Sequence, residues 1–120
     1  MLTMNDDLKG ALQRYLVLMD EAAYFEAHEV LEEAWHPLRL KKDPLANLVK
    51  GLINAAVGFE HIRRQRNDYA QKARKVMASF DRHHLLCKEG IEHYILFAAA
   101  CQKAETLKQK HAGVFDVLVP

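Results

Sequence analysis

A histidine and a glutamate four residues apart on a helix set an imidazole beside a carboxylate. This chain has such a pair, His28 and Glu32, inside Tyr24-Phe25-Glu26-Ala27-His28-Glu29-Val30-Leu31-Glu32-Glu33-Ala34-Trp35. On a wheel of about 100° per residue, Tyr24, Phe25, His28, Leu31, Glu32 and Trp35 share one face. The apolar members predict that this face points inward. A buried carboxylate without a partner is costly, so Glu32 is expected to meet one. Lys50, Asn54, Gly58 and His61 form a strip on a later helix. Packed side by side, the two helices would bring His28 and Glu32 against Asn54 and His61, a buried cluster of two imidazoles, one carboxylate and one amide.

Three roles fit such a cluster. It can be structural, a hydrogen-bonded network that fixes one helix on the other. It can be a metal site, with His28, Glu32 and His61 as ligands of a divalent transition metal such as zinc, iron or manganese, serving a hydrolase-like reaction. His28-Glu29-x-x-Glu32 is one residue away from the H-E-x-x-H zinc pattern. It can also be a small-ligand or catalytic pocket without metal, lined by His28, Glu32, Trp35, Asn54 and His61, in which His28 or Glu32 moves a proton. The residues alone do not decide whether the chain is an enzyme.

Other polar groups read more plainly. Glu33-x-x-His36 matches the helical motif of di-iron bundles, but Glu33 falls on the outer face and the motif has no second copy. His83-His84 and Arg63-Arg64-Gln65-Arg66 are basic groups near helix ends, where positive charge suits the carbonyl terminus. No phosphate loop, nucleophile elbow or serine triad is visible.

The elements that must position these groups are helices. Of 120 residues only 5 are glycine and 3 proline, which favours long uninterrupted helices. Half the residues are apolar and 28% are charged, a globular balance. With 17 basic and 16 acidic residues the net charge is +1, too even for charge alone to indicate nucleic acid or a membrane as partner. No run is long and apolar enough for a membrane span, and Met1 to Asp7 does not resemble a leader, so a cytoplasmic protein is expected. Cys87 and Cys101 read as reduced thiols near the core.

The chain divides into five expected helices. The first is capped by Asn5 or Asp6 and buries Leu8, Ala11, Leu12, Tyr15, Leu16 and Met19. The second runs from about Ala22 to His36 or Leu38, since Pro37 lacks an amide hydrogen. The third starts at Pro44 behind a capping Asp43, ends near Arg66, and is apolar nearly all round, hence central. Gly51 and Gly58 lie nearly on one side of it, where a neighbouring backbone or a ligand can come close. Helix four is expected over about Asp68 to Cys87 and helix five over about Ile91 to His111. The fold expected is a single-domain, all-α antiparallel bundle over residues 1–120. Its apolar tail, 112–120, packs on the bundle or on a second copy of the chain, so a homodimer and a small molecule are the candidate partners.

At Phe25-Glu26-Ala27-His28-Glu29-Val30-Leu31-Glu32-Glu33-Ala34-Trp35 the chain resembles a small bacterial and archaeal helical family, domain of unknown function number 309. A second block, Lys50-Gly51-Leu52-Ile53-Asn54-Ala55-Ala56 followed by His61-Ile62-Arg63-Arg64, resembles that family's second signature. The resemblance spans about Leu8 to Arg66. It implies an all-helical array with His28, Glu32, Trp35, Gly51 and His61 as signature positions, and implies no activity. The family often has glutamine where this chain has Asn54, and glycine in the turn occupied here by Ala22-Ala23, where alanine would allow the helix to continue.

Overall fold

A computed structural model describes the backbone of residues 4–116 and the side chains of residues 7–116. Among them the secondary structure is entirely helical: α1 (Met4–Asp20), α2 (Tyr24–Leu40), α3 (Ala46–Arg64), α4 (Tyr69–His83), a 3-10 turn (His84–Leu86), α5 (Tyr94–Lys110) and α6 (Ala112–Phe115). The all-α expectation holds, with one short helix added from the apolar tail.

Each of the first two helices is stopped by a residue in the left-handed region. Ala22 (φ 58°) follows α1 and Lys42 (φ 55°) follows α2. In both places the next amide reaches back five residues, Ala23 N–H to Leu18 O and Asp43 N–H to Leu38 O. This satisfies carbonyls that a helix end leaves open. The alanine turn therefore breaks the helix and does not extend it. Left-handed geometry costs a residue with a Cβ about 1–2 kcal/mol. The helix α2 runs past Pro37 to Leu40, further than a missing amide alone suggests. The Asp43 carboxylate accepts the Leu45 N–H at 2.8 Å within the turn before α3, but the helix begins at Ala46 with Leu45 as its N-cap and no side-chain cap, so the expected start at Pro44 behind a capping Asp43 is corrected. The helix α1 is already formed at Met4, upstream of the expected cap at Asn5 or Asp6.

Short connections make sequence neighbours pack antiparallel. Trp35 meets Lys50 while Tyr24 meets Phe59, so α2 and α3 run in opposite directions. Gly51 lies by Phe80 and Gly58 by Met77, so α3 and α4 do too. The core is built on α3, where Leu48, Val49, Leu52, Ile53, Ala55, Ala56 and Phe59 are all buried. Tyr15 from α1 crosses to it and donates its hydroxyl to the Leu52 carbonyl at 2.9 Å. Phe97, Ala100 and Ala104 of α5 close the far side. Phe115 of α6 stands edge-on to Phe59 at 6.0 Å, and Arg74 donates to the Val114 carbonyl, so this part of the tail packs on the bundle. Val117, Leu118 and Val119 lie outside the described residues.

The glycines serve a contact other than the one expected. A Cβ on Gly51 would sit 3.3 Å from the Phe80 Cα and one on Gly58 3.1 Å from the Met77 Cε, both on α4. Small residues here bring α4 close to α3; they do not bring α2 closer. Cys101 is buried, Cys87 is partly buried, and both are free thiols. Among the described residues no helix is long and apolar enough to cross a membrane.

Candidate functional site

The inward stripe of α2 is Tyr24, Ala27, Leu31, Ala34 and Leu38. These recur at the three- and four-residue steps of a helix face. His28, Glu32 and Trp35 lie one position off that stripe, at its border. The expected buried cluster is therefore corrected: the His28 side chain keeps 20% of its exposure and that of Glu32 keeps 42%. Phe25, counted as inward from the sequence, is exposed.

The His28–Glu32 pair itself forms. His28 Nε2 lies 3.3 Å from Glu32 Oε2, and Nδ1 lies 2.6 Å from the Phe25 carbonyl. Both ring nitrogens thus face acceptors on α2 itself. Trp35 belongs to the seam between α2 and α3, where Lys50 Nζ lies 4.4 Å and the Arg39 guanidinium carbon 5.1 Å from its ring centre. Asn54 is half-buried, and among the described residues no hydrogen bond joins it to His28, Glu32 or His61. Nor does any group of three or more His, Cys, Asp or Glu among them converge as metal ligands do. His28, Glu32 and His61 do not make a ligand set: Glu32 turns along the outer side of α2, while His61 faces α4.

The structure does bring His28 and His61 to one cavity, of about 320 Å³, between the start of α2, the end of α3 and the start of α4. Phe25, Val57 and Tyr69 give it apolar walls, and Asn67 adds an amide. Its charged lining is Glu60, Arg64, Arg66 and Lys72. A second hollow lies on the other side of Phe25 and His28, lined by Glu29, Glu32, Glu33 and His36. These two side chains thus divide a basic cavity from an acidic groove.

Glu60 is the residue that sequence reasoning missed. It is the single charged residue in the core of the described chain, 7% exposed. Arg63 grips it with two bonds, Nε to Oε1 at 2.9 Å and Nη2 to Oε2 at 2.7 Å, and Arg64 Nε adds a short contact to Oε2. The hydrogen bond from Arg63 is the main reason its carboxyl is held below the ordinary range, against the opposing effect of burial. The signal was present as Glu60-x-x-Arg63-Arg64, three- and four-residue spacings that pair charges on a helix. The Arg64 guanidinium also lies over the Phe25 ring, 5.6 Å from its centre.

His61 is the second group of the lining whose pKa is perturbed. Burial lowers its pKa first, then Lys72 and Arg64 lower it further, with Glu60 opposing. This favours the uncharged ring at neutral pH, which can accept one hydrogen bond and donate another. Arg66 and Lys72 have no carboxylate partner among the described residues. The α4 helix begins beside them with no acidic residue in its first turn and no side-chain cap.

In comparison with known families, residues 12–73 match the model of a domain of unknown function (DUF309), more than half of the chain. That match covers all of α2 and α3, the turn after α3 and the start of α4, and so every residue lining the basic cavity. No curated protein and no solved structure matches the chain.

Proposed function

The chain belongs to the DUF309 family, and from that footing we propose that it is a small-molecule-binding protein whose ligand carries an anionic group, held in the cavity between α2, α3 and α4. The observation that carries this reading is the charge of the lining. Arg66 and Lys72 stand at the cavity without a carboxylate partner among the described residues, while its one acid, Glu60, is already held by Arg63 and Arg64. Pockets for small ligands are mostly apolar hollows with a few convergent polar groups, and Phe25, Val57 and Tyr69 supply the apolar part. The cavity's size falls at the low end of the usual range, about 300–1,000 Å³. His28 borders the cavity and, with Glu32 behind it, forms the wall toward the acidic groove. A soluble cytoplasmic protein acting on a metabolite-sized anion fits this reading.

The test is thermal unfolding with inorganic sulfate or phosphate. A ligand at 100 times its Kd stabilises by about 2.7 kcal/mol, so a rise in Tm that saturates is expected. Both anions also stabilise proteins without binding, by exclusion from their surface. The comparison is therefore with an Arg66→Ala, Lys72→Ala double variant, which should lose the saturating part, and with Lys75→Ala on the exposed side of α4, which should keep it. An equal, non-saturating response in all three proteins would end the proposal.

A further inference from the structure

Resting on the reading that this cavity takes an anion, we propose that its ligand is a phosphate monoester of a flat ring, with the phosphate at Arg66 and Lys72 and the ring against Phe25. Two observations, independent of each other, lead there.

The first is charge matching. The Glu60 carboxylate is engaged by Arg64 and by Arg63, which points outward from the cavity with its side chain 53% exposed. Glu60 and Arg64 cancel within the lining. His28 pairs with Glu32 behind the wall. His61 is held in its uncharged form by burial and by Lys72 and Arg64. Two positive charges then remain, Arg66 and Lys72, with the Asn67 amide next to the first. A carboxylate would neutralise one of them and leave the other without a partner. A phosphate monoester is mostly a dianion at neutral pH, because its second pKa is about 6, and it neutralises both. Arginine further suits phosphate because its planar fork donates two parallel hydrogen bonds.

The second is the state of Phe25. It is the one aromatic side chain among the large apolar residues left exposed in the described chain, at 43%. The other wall residues are better covered, Tyr69 and Val57 being half-buried. Phe25 is also not loose. His28 meets its ring edge-on at 5.1 Å, and the Arg64 guanidinium, itself fixed by Glu60, lies over it. A rigid aromatic surface that opens onto a cavity is an unfinished stack. A flat ring completes it, since offset or edge-to-face aromatic contacts add about 0.5–1.5 kcal/mol beyond buried area. The ring and the two cations belong to different elements, α2 on one side and the α3–α4 turn with α4 on the other. A ligand therefore has to span the cavity to reach both, which neither free phosphate nor an unsubstituted ring does.

Calorimetric titration of the full chain at pH 7.5 with four probes separates the parts: inorganic phosphate, phenyl phosphate, benzoate and phenol. Phenyl phosphate is expected to bind at least 10-fold more tightly than inorganic phosphate and than benzoate, and phenol is expected not to bind. In Phe25→Leu the advantage of phenyl phosphate over inorganic phosphate should shrink to 3-fold or less while phosphate itself binds as before. Phe25 is half in solvent, so this variant keeps the core. In Lys72→Ala both phosphates should weaken together. If phenyl phosphate binds no better than phosphate, the ring contact is refuted and the anion site stands. If benzoate equals phenyl phosphate, the dianion preference is refuted. If no probe binds, the parent reading falls with it.

Discussion

Single side chains show how closely chemistry and packing are interleaved on α3. Tyr15 donates from α1 into the Leu52 carbonyl, fully inside the core. That carbonyl also lies within the helical ladder, so removing the hydroxyl leaves it one partner instead of none. Tyr15→Phe should then cost about 1 kcal/mol, the net worth of an ordinary hydrogen bond, read as a shift in urea midpoint with unchanged slope. A loss above about 3 kcal/mol would mean that the hydroxyl also fixes the α1–α3 register. At the cavity, the pairing of His28 with Glu32 could be read from spacing alone, whereas the turn of His61 toward α4 could not. What the spacing could not give was depth. A border residue and a core residue differ by one position on a helix wheel, and an aromatic such as Phe25 biases the wheel toward itself. Glu60 was overlooked because a glutamate followed by two arginines looks like a solvated helix end. It lies instead against the start of α2, near Tyr24 and Phe25, and under the side chains of Arg63 and Arg64.

The helices themselves were legible because their signals are local. The apolar stripe of α1, the turn at Asp43-Pro44 and the all-round apolarity of α3 each follow from residues within a turn or two. Their ends were less so. Pro37 marked an end that the helix passes, and the expected α4 loses its last turn to a 3-10 segment. Which helix would use the glycines was not legible either, since that depends on contacts across the fold. The structure distinguishes the two glycines sharply. At Gly51 an added methyl would meet the α4 backbone at Phe80 and Ser79, which cannot move without shifting the helix. At Gly58 the nearest atom is the end of the flexible Met77 side chain. Alanine gains about 1 kcal/mol of helix propensity at either site, while overpacking costs about 1–3 kcal/mol. Gly51→Ala should therefore be destabilising overall, and Gly58→Ala neutral within about 1 kcal/mol. Equal effects in denaturant titrations would show that α4 slides as readily as Met77 bends.

For the molecule as a whole, the perturbed groups set the pH range over which the bundle is stable. Four of them matter, and their signs can be combined. His61 has a folded pKa below its ordinary 6.5, so the unfolded chain binds more protons between the two values. Stability then rises with pH across that window and is lost as pH falls from about neutrality into it. Glu60, held below its ordinary 4.5 by Arg63 and Arg64, acts in the same direction at lower pH. On the alkaline side burial pushes the Cys101 thiol up to about 12 and the Tyr15 phenol higher than its ordinary 10.0. There the folded chain is the one that holds its protons, so stability is present below the ordinary values and lost as pH rises past them. The expected profile is a plateau between about pH 6.5 and 9 with two separate acid steps below it. Urea unfolding at pH 7.5, 5.5 and 4 resolves them. His61→Asn should flatten the step from 7.5 to 5.5 and leave the lower one. Glu60→Gln should start less stable at pH 7.5 and lose less between 5.5 and 4. A His61→Asn variant with the wild-type slope between 7.5 and 5.5 would place the upper step on another histidine. On the proposed reading, a dianion at Lys72 offsets one of the cations that disfavour the imidazolium and raises the folded pKa of His61 back toward its ordinary 6.5. The unfolded value is unchanged, so saturating sulfate, which keeps its charge over this range, should shrink the upper acid step in the wild type and leave that of His61→Asn unmoved.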